Sequence, residues 1–279
     1  MDMIRAALIV TDKEYAAFAR ILPRLADVQW VGSHIQTGLS SQAGSTDLLI
    51  DKADVIFVSG LPEKRFDCIA HALRRGKTVW AAAPLAATEA EYRKLAALAG
   101  EAGVVNHAAH ISRKSPAFTA CLPEVGHSRI IRVELFRPYR EEPLPVFMRQ
   151  TFFPYLDRVL AAADSPVQKI QVKNFSLGGV TDSRLKVSLC FNSGMEAEFC
   201  VDRNARFPRE RMFFQGKDFS READFLEPGK VAPARPLQRD MEDFCRSVRQ
   251  VDLLNVTFAE SADVYAVFRQ IEKQIRTNG

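Results

Sequence analysis

His107 and His110 lie three residues apart, and Arg113 and Lys114 follow within four more. Two imidazoles beside two cations suit a pocket for a small hydroxylated or anionic molecule. Such pockets gather at strand ends in open α/β sheets. The same residues equally suit a loop that packs and caps the sheet edge. Two histidines do not make a metal site, which takes three or four protein ligands, so no metal is expected. Tyr139, Tyr155 and Asp157 are candidates to face the same cleft, the tyrosines as acids or as packing. Residues 203–211 carry Arg203, Arg206, Arg209 and Arg211 beside aromatic residues. That pattern is shared by single-stranded nucleic-acid surfaces and by the wet face of an antiparallel strand. Asp202 and Glu210 dilute the charge and favour the strand.

Composition narrows the classes. The chain has 279 residues, 47% apolar and 26% charged, with a formal net charge of +4. This is ordinary for a globular protein and weak for a nucleic-acid binder. No apolar run approaches the roughly 20 residues that span a bilayer. The N-terminus lacks a basic segment followed by a long apolar core, so no secretory signal is expected. Cys68, Cys121, Cys190, Cys200 and Cys245 form no Cys-x-x-Cys pair. They read as incidental or buried thiols of a reducing cytoplasm. The expectation is a cytoplasmic protein with no membrane and no nucleic-acid partner.

The elements that must position these residues follow from periodicity. Residues 4–10 form a near-continuous apolar run, as a doubly buried strand does. Residues 14–25 have helical spacing, and residues 28–31 and 54–59 read as strands. Residues 66–75 are helical and stop at Gly76. Residues 77–81 form the next strand. The helix at 88–99 opens with Thr88 and Glu91 in a capping box, and a strand follows near Val104 and Val105. Strand–helix alternation implies a parallel sheet with right-handed crossovers. After about Pro123 the pattern changes. Residues 129–137 and 167–175 alternate, and strands at 185–191 and 195–201 flank a turn at Ser193 and Gly194. Helices at 237–249 and 258–275 close the chain. The fold class expected is therefore α/β: a Rossmann-like parallel-sheet domain (1–121) followed by an α+β domain (122–279) with a mostly antiparallel open sheet.

The segment Gly76-Lys77-Thr78-Val79, followed by Ala82-Ala83-Pro84-Leu85-Ala86, resembles the junction strand of the glucose–fructose oxidoreductase / inositol dehydrogenase (Gfo/Idh/MocA) family. Asp54 to Ser59 is similar to the family strand that ends near the nicotinamide. His110, Arg113 and Pro116 fall where the family has a His-Asn-Arg-Arg-type loop, and Glu242-Asp243-Phe244 resembles a family helix opening. The likeness is continuous over about residues 50–120 and mainly architectural beyond. It implies an NAD(P)-dependent oxidoreductase of sugars or polyols, with a cleft near Ser59, Trp80, Ala82, Ala83, Pro84, His107, His110, Lys114 and Tyr155.

The working parts that the resemblance implies are absent. The family's first turn is Gly-x-Gly-x-x-Gly, so that backbone approaches the pyrophosphate closely. Here Thr11, Asp12, Lys13 and Glu14 stand there, with two carboxylates and no glycine. Thr11 or Asp12 reads as a plain N-cap. The acidic ribose ligand expected after the second strand is missing from Val31 to His34. His34 could approach a 2′-phosphate or be an ordinary surface residue. The family's Glu-Lys-Pro lysine is Ala83. The family's Asp-x-x-x-His helix, aligned through Asp157, places Gln150 and Pro154 at its two positions.

These absences favour a non-catalytic binding or interaction protein on a retained scaffold, a pseudoenzyme acting as a homodimer or beside an active paralogue. On this reading no cofactor is expected, although NAD(P) is what the resemblance implies. The alternative is an active NAD(P)-dependent oxidoreductase of a sugar-like substrate using His107, His110, Lys114 or Tyr155. The resemblance implies a subunit interface on the open face of the second-domain sheet, with Val187, Leu189 and Phe191, or Phe213 and Phe214, as its apolar surface. A third reading is a scaffold whose sheet face binds another protein.

Overall fold

The computed structural model describes residues 3–26, 28–36, 43–60, 62–138, 142–177, 180–226, 234–250 and 256–277. In chain order the elements begin with β1 (Ile4–Thr11), α1 (Asp12–Ile21), β2 (Val28–Gln36), α2 (Ala43–Lys52) and β3 (Val55–Val58). They continue with α3 (Pro62–Arg74), β4 (Thr78–Ala82), α4 (Glu89–Ala102), β5 (Asn106–Ala109), α5 (Pro116–Thr119) and α6 (Leu122–Val125). Then come β6 (Ile130–Phe136), α7 (Leu144–Phe147), a π-helical turn (Met148–Phe152), α8 (Phe153–Ala163), β7 (Val167–Leu177) and β8 (Val180–Phe191). The chain closes with β9 (Glu196–Asp202), β10 (Arg209–Gln215), β11 (Ser220–Asp224), α9 (Ala234–Arg249) and α10 (Phe258–Thr277). None of the helices among the described residues is long and apolar enough to cross a membrane.

Two compact units result: Met1–Ile111 with Pro233–Tyr265, and Ser112–Ala232 with Ala266–Gly279. The first is built on a five-stranded parallel sheet in the order β2-β1-β3-β4-β5. Strands β1 and β3 are apolar and buried on both faces because helices cover both. On one face Leu8, Val10, Phe57 and Trp80 pack with Phe18 of α1 and with Leu237, Met241 and Phe244 of α9. The spacing of those α9 residues, i, i+4 and i+7, puts them on one helical stripe. Helix α3 lies against β3 and β4. The capping box at α4 is present as expected, with Glu91 N–H donating to Thr88 Oγ1 at 3.3 Å and Gly103 closing the helix in the left-handed region. Gly103 suits that place because it carries no Cβ.

The second unit holds a six-stranded sheet, β11-β10-β6-β9-β8-β7. All its pairs are antiparallel except β6 with β9. The mostly antiparallel sheet foreseen from alternation is thus observed. Its inner face buries Val133, Leu135, Val187, Leu189, Phe199, Met212 and Phe214. Phe152 meets Phe199 at a tilt with ring centroids 4.8 Å apart, and Phe153 meets Phe268 of α10 edge-on at 5.3 Å. The outer face is a lattice of cross-strand ion pairs, including Lys186–Glu198 at 2.6 Å and Arg184–Asp202 at 3.0 Å. Val187, Leu189, Phe191 and Phe214, expected as an exposed apolar interface, are instead buried in this unit's own core. Period two decides it: their neighbours Lys186, Ser188 and Cys190 take the other face. The basic run of 203–211 enters a strand only at Arg209, and Arg209 and Arg211 pair with Glu134 and Asp224.

Candidate functional site

Open parallel sheets bind ligands where strand order reverses, outside the carboxyl ends of the strands. In the first unit that place lies between β1 and β3. Thr11 ends β1 and stands at the N-cap position of α1, without a side-chain capping bond. Its hydroxyl instead donates to Glu14 Oε2 at 2.8 Å, and Ser59, just past β3, donates to Glu14 Oε1 at 2.9 Å. The Glu14 carboxylate therefore bridges the two strand ends across the first turn of the helix. A negative group there is favoured by the N-terminal end of the helix dipole. Gly60 follows at φ 109°, and a Cβ on it would lie 2.9 Å from Thr11 Cγ2 and 3.2 Å from Gln36 Oε1. The backbone is closely packed on both sides. Lys13 is exposed, and the side chain of Asp12 lies outside the described residues.

Strand β2 runs on to Gln36, which is level with Thr11, so His34 sits level with Ile9 inside the strand. The residue at the ribose end of β2 is thus a neutral amide, Gln36, whose Nε2 contacts Cys68 Sγ at 3.3 Å. The strand expected over 28–31 therefore extends five residues further, to Gln36. Ala83 and Pro84 follow β4, half-buried, with Ala82 buried before them. The guanidinium of Arg65, itself 4% exposed, donates to the carbonyls of Gly60, Ala82 and Pro84 around that position. Sequence reasoning missed Arg65 as well. The signal was available, because Arg65, Ile69 and Leu73 recur at four-residue spacing on one stripe of α3.

The structure does not bring His107 and His110 together. An odd separation on an extended segment sends side chains to opposite faces. His107 shares its face with Trp80, and its Nε2 is 3.0 Å from Asp240 Oδ2. Trp80 Nε1 donates to the same oxygen at 2.7 Å. All three are buried under α9. A carboxylate accepts from both rings, so His107 carries its proton on Nε2. His110 Nε2 lies 2.9 Å from Ser261 Oγ of α10, also buried. Trp80 belongs to the core.

The second unit contains a cavity of about 910 Å³, of the size that takes a small-molecule ligand. Gln150, Thr151, Pro154, Tyr155 and Arg158 line it from the π-helical turn and α8. Pro154 has no N–H for an α-helical bond and would crowd the carbonyl four residues back. The widened turn just before it accommodates that defect. Gln150 and Pro154 thus line one cavity. Asp157, fully buried on α8, is gripped by Arg113, Nε to Oδ2 at 2.9 Å and Nη2 to Oδ1 at 2.5 Å. Lys114 ends a short 3₁₀ turn beside Ser115, which lines the cavity.

Inside the cavity Tyr155 Oη donates to Glu210 Oε2 at 2.7 Å, and Arg137 pairs with Glu210 Oε1. Burial, and then the Glu210 charge, push the Tyr155 phenol above its ordinary range, so it stays protonated. The Arg158 cation lies 4.6 Å from the Tyr155 ring and 4.3 Å from the Phe225 ring. Burial lowers its pKa. Arg158 and Glu210 escaped sequence reasoning, although Glu210, Met212 and Phe214 alternate onto one buried face. Tyr139 lies outside the described residues. No group of three or more His, Cys, Asp or Glu among the described residues is arranged to hold a metal ion.

No protein-family model matches the sequence, and no curated protein matches it in sequence. Solved structures do match in fold. One is the UDP-N-acetylglucosamine 3-dehydrogenase GnnA from Acidithiobacillus ferrooxidans, at TM-score 0.81 and 17% identity, covering 100% of this chain and 99% of that one. A putative myo-inositol dehydrogenase from Sinorhizobium meliloti matches at TM-score 0.81 and 13% identity, with coverage of 99% and 98%. A probable dehydrogenase from Thermotoga maritima gives TM-score 0.82, 12% identity and the same coverage. The chain has the fold of these dehydrogenases, the fold that the junction motif led us to expect.

Proposed function

We propose that this chain is a divergent relative of the NAD(P)-dependent sugar and polyol oxidoreductases, of the Gfo/Idh/MocA kind. In this reading it has given up the usual cofactor turn and lysine, and works as a ligand-binding or interaction protein. The Glu14 carboxylate, held by Thr11 and Ser59 across the strand-order reversal, carries the reading. A dinucleotide seated there would set its pyrophosphate against a fixed negative charge, with no glycine to admit it. Like charges at contact distance cost several kcal/mol, about 4 at an effective dielectric of 20. The residues at this turn therefore fit a dinucleotide poorly, and no chemical step is assigned to one. Ala83 carries no titratable group, and the guanidinium beside it, Arg65, donates to the carbonyls of Ala82 and Pro84. The ligand of this reading enters the 910 Å³ cavity of the second unit.

Isothermal titration of the full chain with NAD⁺, NADH, NADP⁺ and NADPH tests this. Silence into the millimolar range is expected, and micromolar binding of any of the four overturns it. Within the same reading the protein is cytoplasmic and acts as a homodimer or beside an active paralogue. Light scattering after size exclusion addresses the dimer.

A second reading, an active oxidoreductase with an unusual site, draws on Tyr155. Its hydroxyl, kept protonated by burial and Glu210, lines a ligand-sized cavity. His107 and His110 lend it less, being bonded inside the fold to Asp240 and Ser261. Turnover of any hexose, inositol or amino sugar, followed at the nicotinamide absorbance, would establish it.

A further inference from the structure

The cavity of the second unit has a neighbour. A second hollow of about 690 Å³ lies beside it in the same unit, and Arg137, Gln150 and Thr151 line both. Each hollow is by itself within the roughly 300–1,000 Å³ of a small-molecule site. A ligand of one sugar ring needs only one of them.

The wall they share is no packed partition. Gln150 is exposed, Thr151 is half-buried, and the Arg137 side chain is 36% exposed. The two hollows therefore meet along an open, polar rim. Gln150 and Thr151 both come from the π-helical turn Met148–Phe152. Consecutive side chains diverge by about 100° in an α-helix. A π turn spreads one revolution over more residues, so the angle is smaller and the two neighbours stay on one wall. Such turns gather at functional sites.

The second hollow has a lining of its own. Arg203 lies over the Phe147 ring, 5.5 Å from its centre, and donates from Nη2 to Glu142 O. Pro208 and Leu226 add apolar surface. Donors beside apolar surface suit a ring with hydroxyls at its edge and C–H groups on its face. On the shared rim, an amide and a hydroxyl each donate and accept, as the oxygen between two rings and its flanking hydroxyls require.

We infer that the two hollows form one site for a two-ring glycoside, with a sugar ring in each and the linking oxygen crossing at Gln150 and Thr151. This rests on the reading above that the second-unit cavity holds the ligand, and adds the size of that ligand. A monosaccharide meets one lining only and so binds more weakly.

Isothermal titration of the full chain with maltose, cellobiose, lactose and chitobiose, and with their component monosaccharides, tests this. At least one disaccharide should bind roughly tenfold or more tightly than its component sugars. Pro208→Trp puts a bulky side chain at an exposed position on the second hollow and should bring that ratio near one. Arg203→Ala takes a donor from the same lining and should lower the ratio too. Equal binding of one-ring and two-ring sugars, or a ratio unmoved by both variants, overturns the inference and leaves the proposed function standing. Silence toward every sugar overturns the inference and the cavity reading together. Dinucleotide binding, titrated separately, sinks only the proposed function.

Discussion

Asp157, with no solvent exposure on α8, and Arg113, in the short 3₁₀ turn Ile111–Lys114, form a two-pronged ion pair of 2.5 and 2.9 Å within the second unit. The pair ties that turn to the helix that carries Pro154. Removing one partner of a buried pair leaves the other charge stranded, at about 3–5 kcal/mol. Arg113→Ala should cost near the lower end, because Arg113 is itself partly exposed. Urea denaturation measures it. A combined replacement of both residues by apolar ones should cost less than the single change, and an equal or larger cost would show that the pair does not act as a unit.

Asp240 accepts from Trp80 and His107 in the core of the first unit. Asp240→Ala strands two buried donors, at about 2–4 kcal/mol together. The Trp80 indole also loses its polar partner. Fluorescence-detected unfolding should show both the lower midpoint and a changed native emission, and an unshifted midpoint would argue that α9 is held by its apolar stripe alone.

Glu14 is the next lever. Glu14→Gly removes two hydrogen bonds to a charged group at a partly exposed site, about 1–2 kcal/mol of stability. It also removes the charge facing an incoming pyrophosphate. Dinucleotide affinity should rise by roughly tenfold or more over the wild-type chain. No gain would place the obstacle in the crowding of Thr11 and Gly60 rather than in charge.

Cys245 gives a pH prediction. Burial first, with Glu242 adding and Arg249 opposing, pushes its thiol up to about 12. The folded state therefore holds the proton more tightly than the unfolded chain. Its contribution is complete below the ordinary thiol value, about 8.5, and is lost as pH rises from there toward the folded value. Comparing pH 7 with pH 10, the loss should be about 2 kcal/mol for this group. Cys245→Ala should flatten the alkaline limb of the stability profile by that amount. Cys68 and Cys121, raised by burial in the same direction, account for part of what remains. Native Cys245 should also resist iodoacetamide at neutral pH, since the thiolate is the reactive form.

Local pattern was readable where one residue's neighbours set its environment. The apolar run of β1, the alternation of β6 through β9, and the Thr88–Glu91 capping box all depend on contacts within a few positions. So did the absence of glycine at the first turn. The end of β2 was less readable, because polar residues occupy the half-buried end of that strand and its pairing with β1 sustains it.

The amino-acid sequence by itself determined the two kinds of sheet, the order of their strands along the chain, and that Thr11–Glu14 holds no glycine and position 83 is an alanine. Only the tertiary structure decided what fills their places. Glu14 reaching Ser59, Arg65 reaching three carbonyls, α9 returning to the first sheet and Arg158 lodged against Phe225 all join residues distant in sequence. Side-chain periodicity states which face a residue takes; it carries no information about which distant element will cover that face.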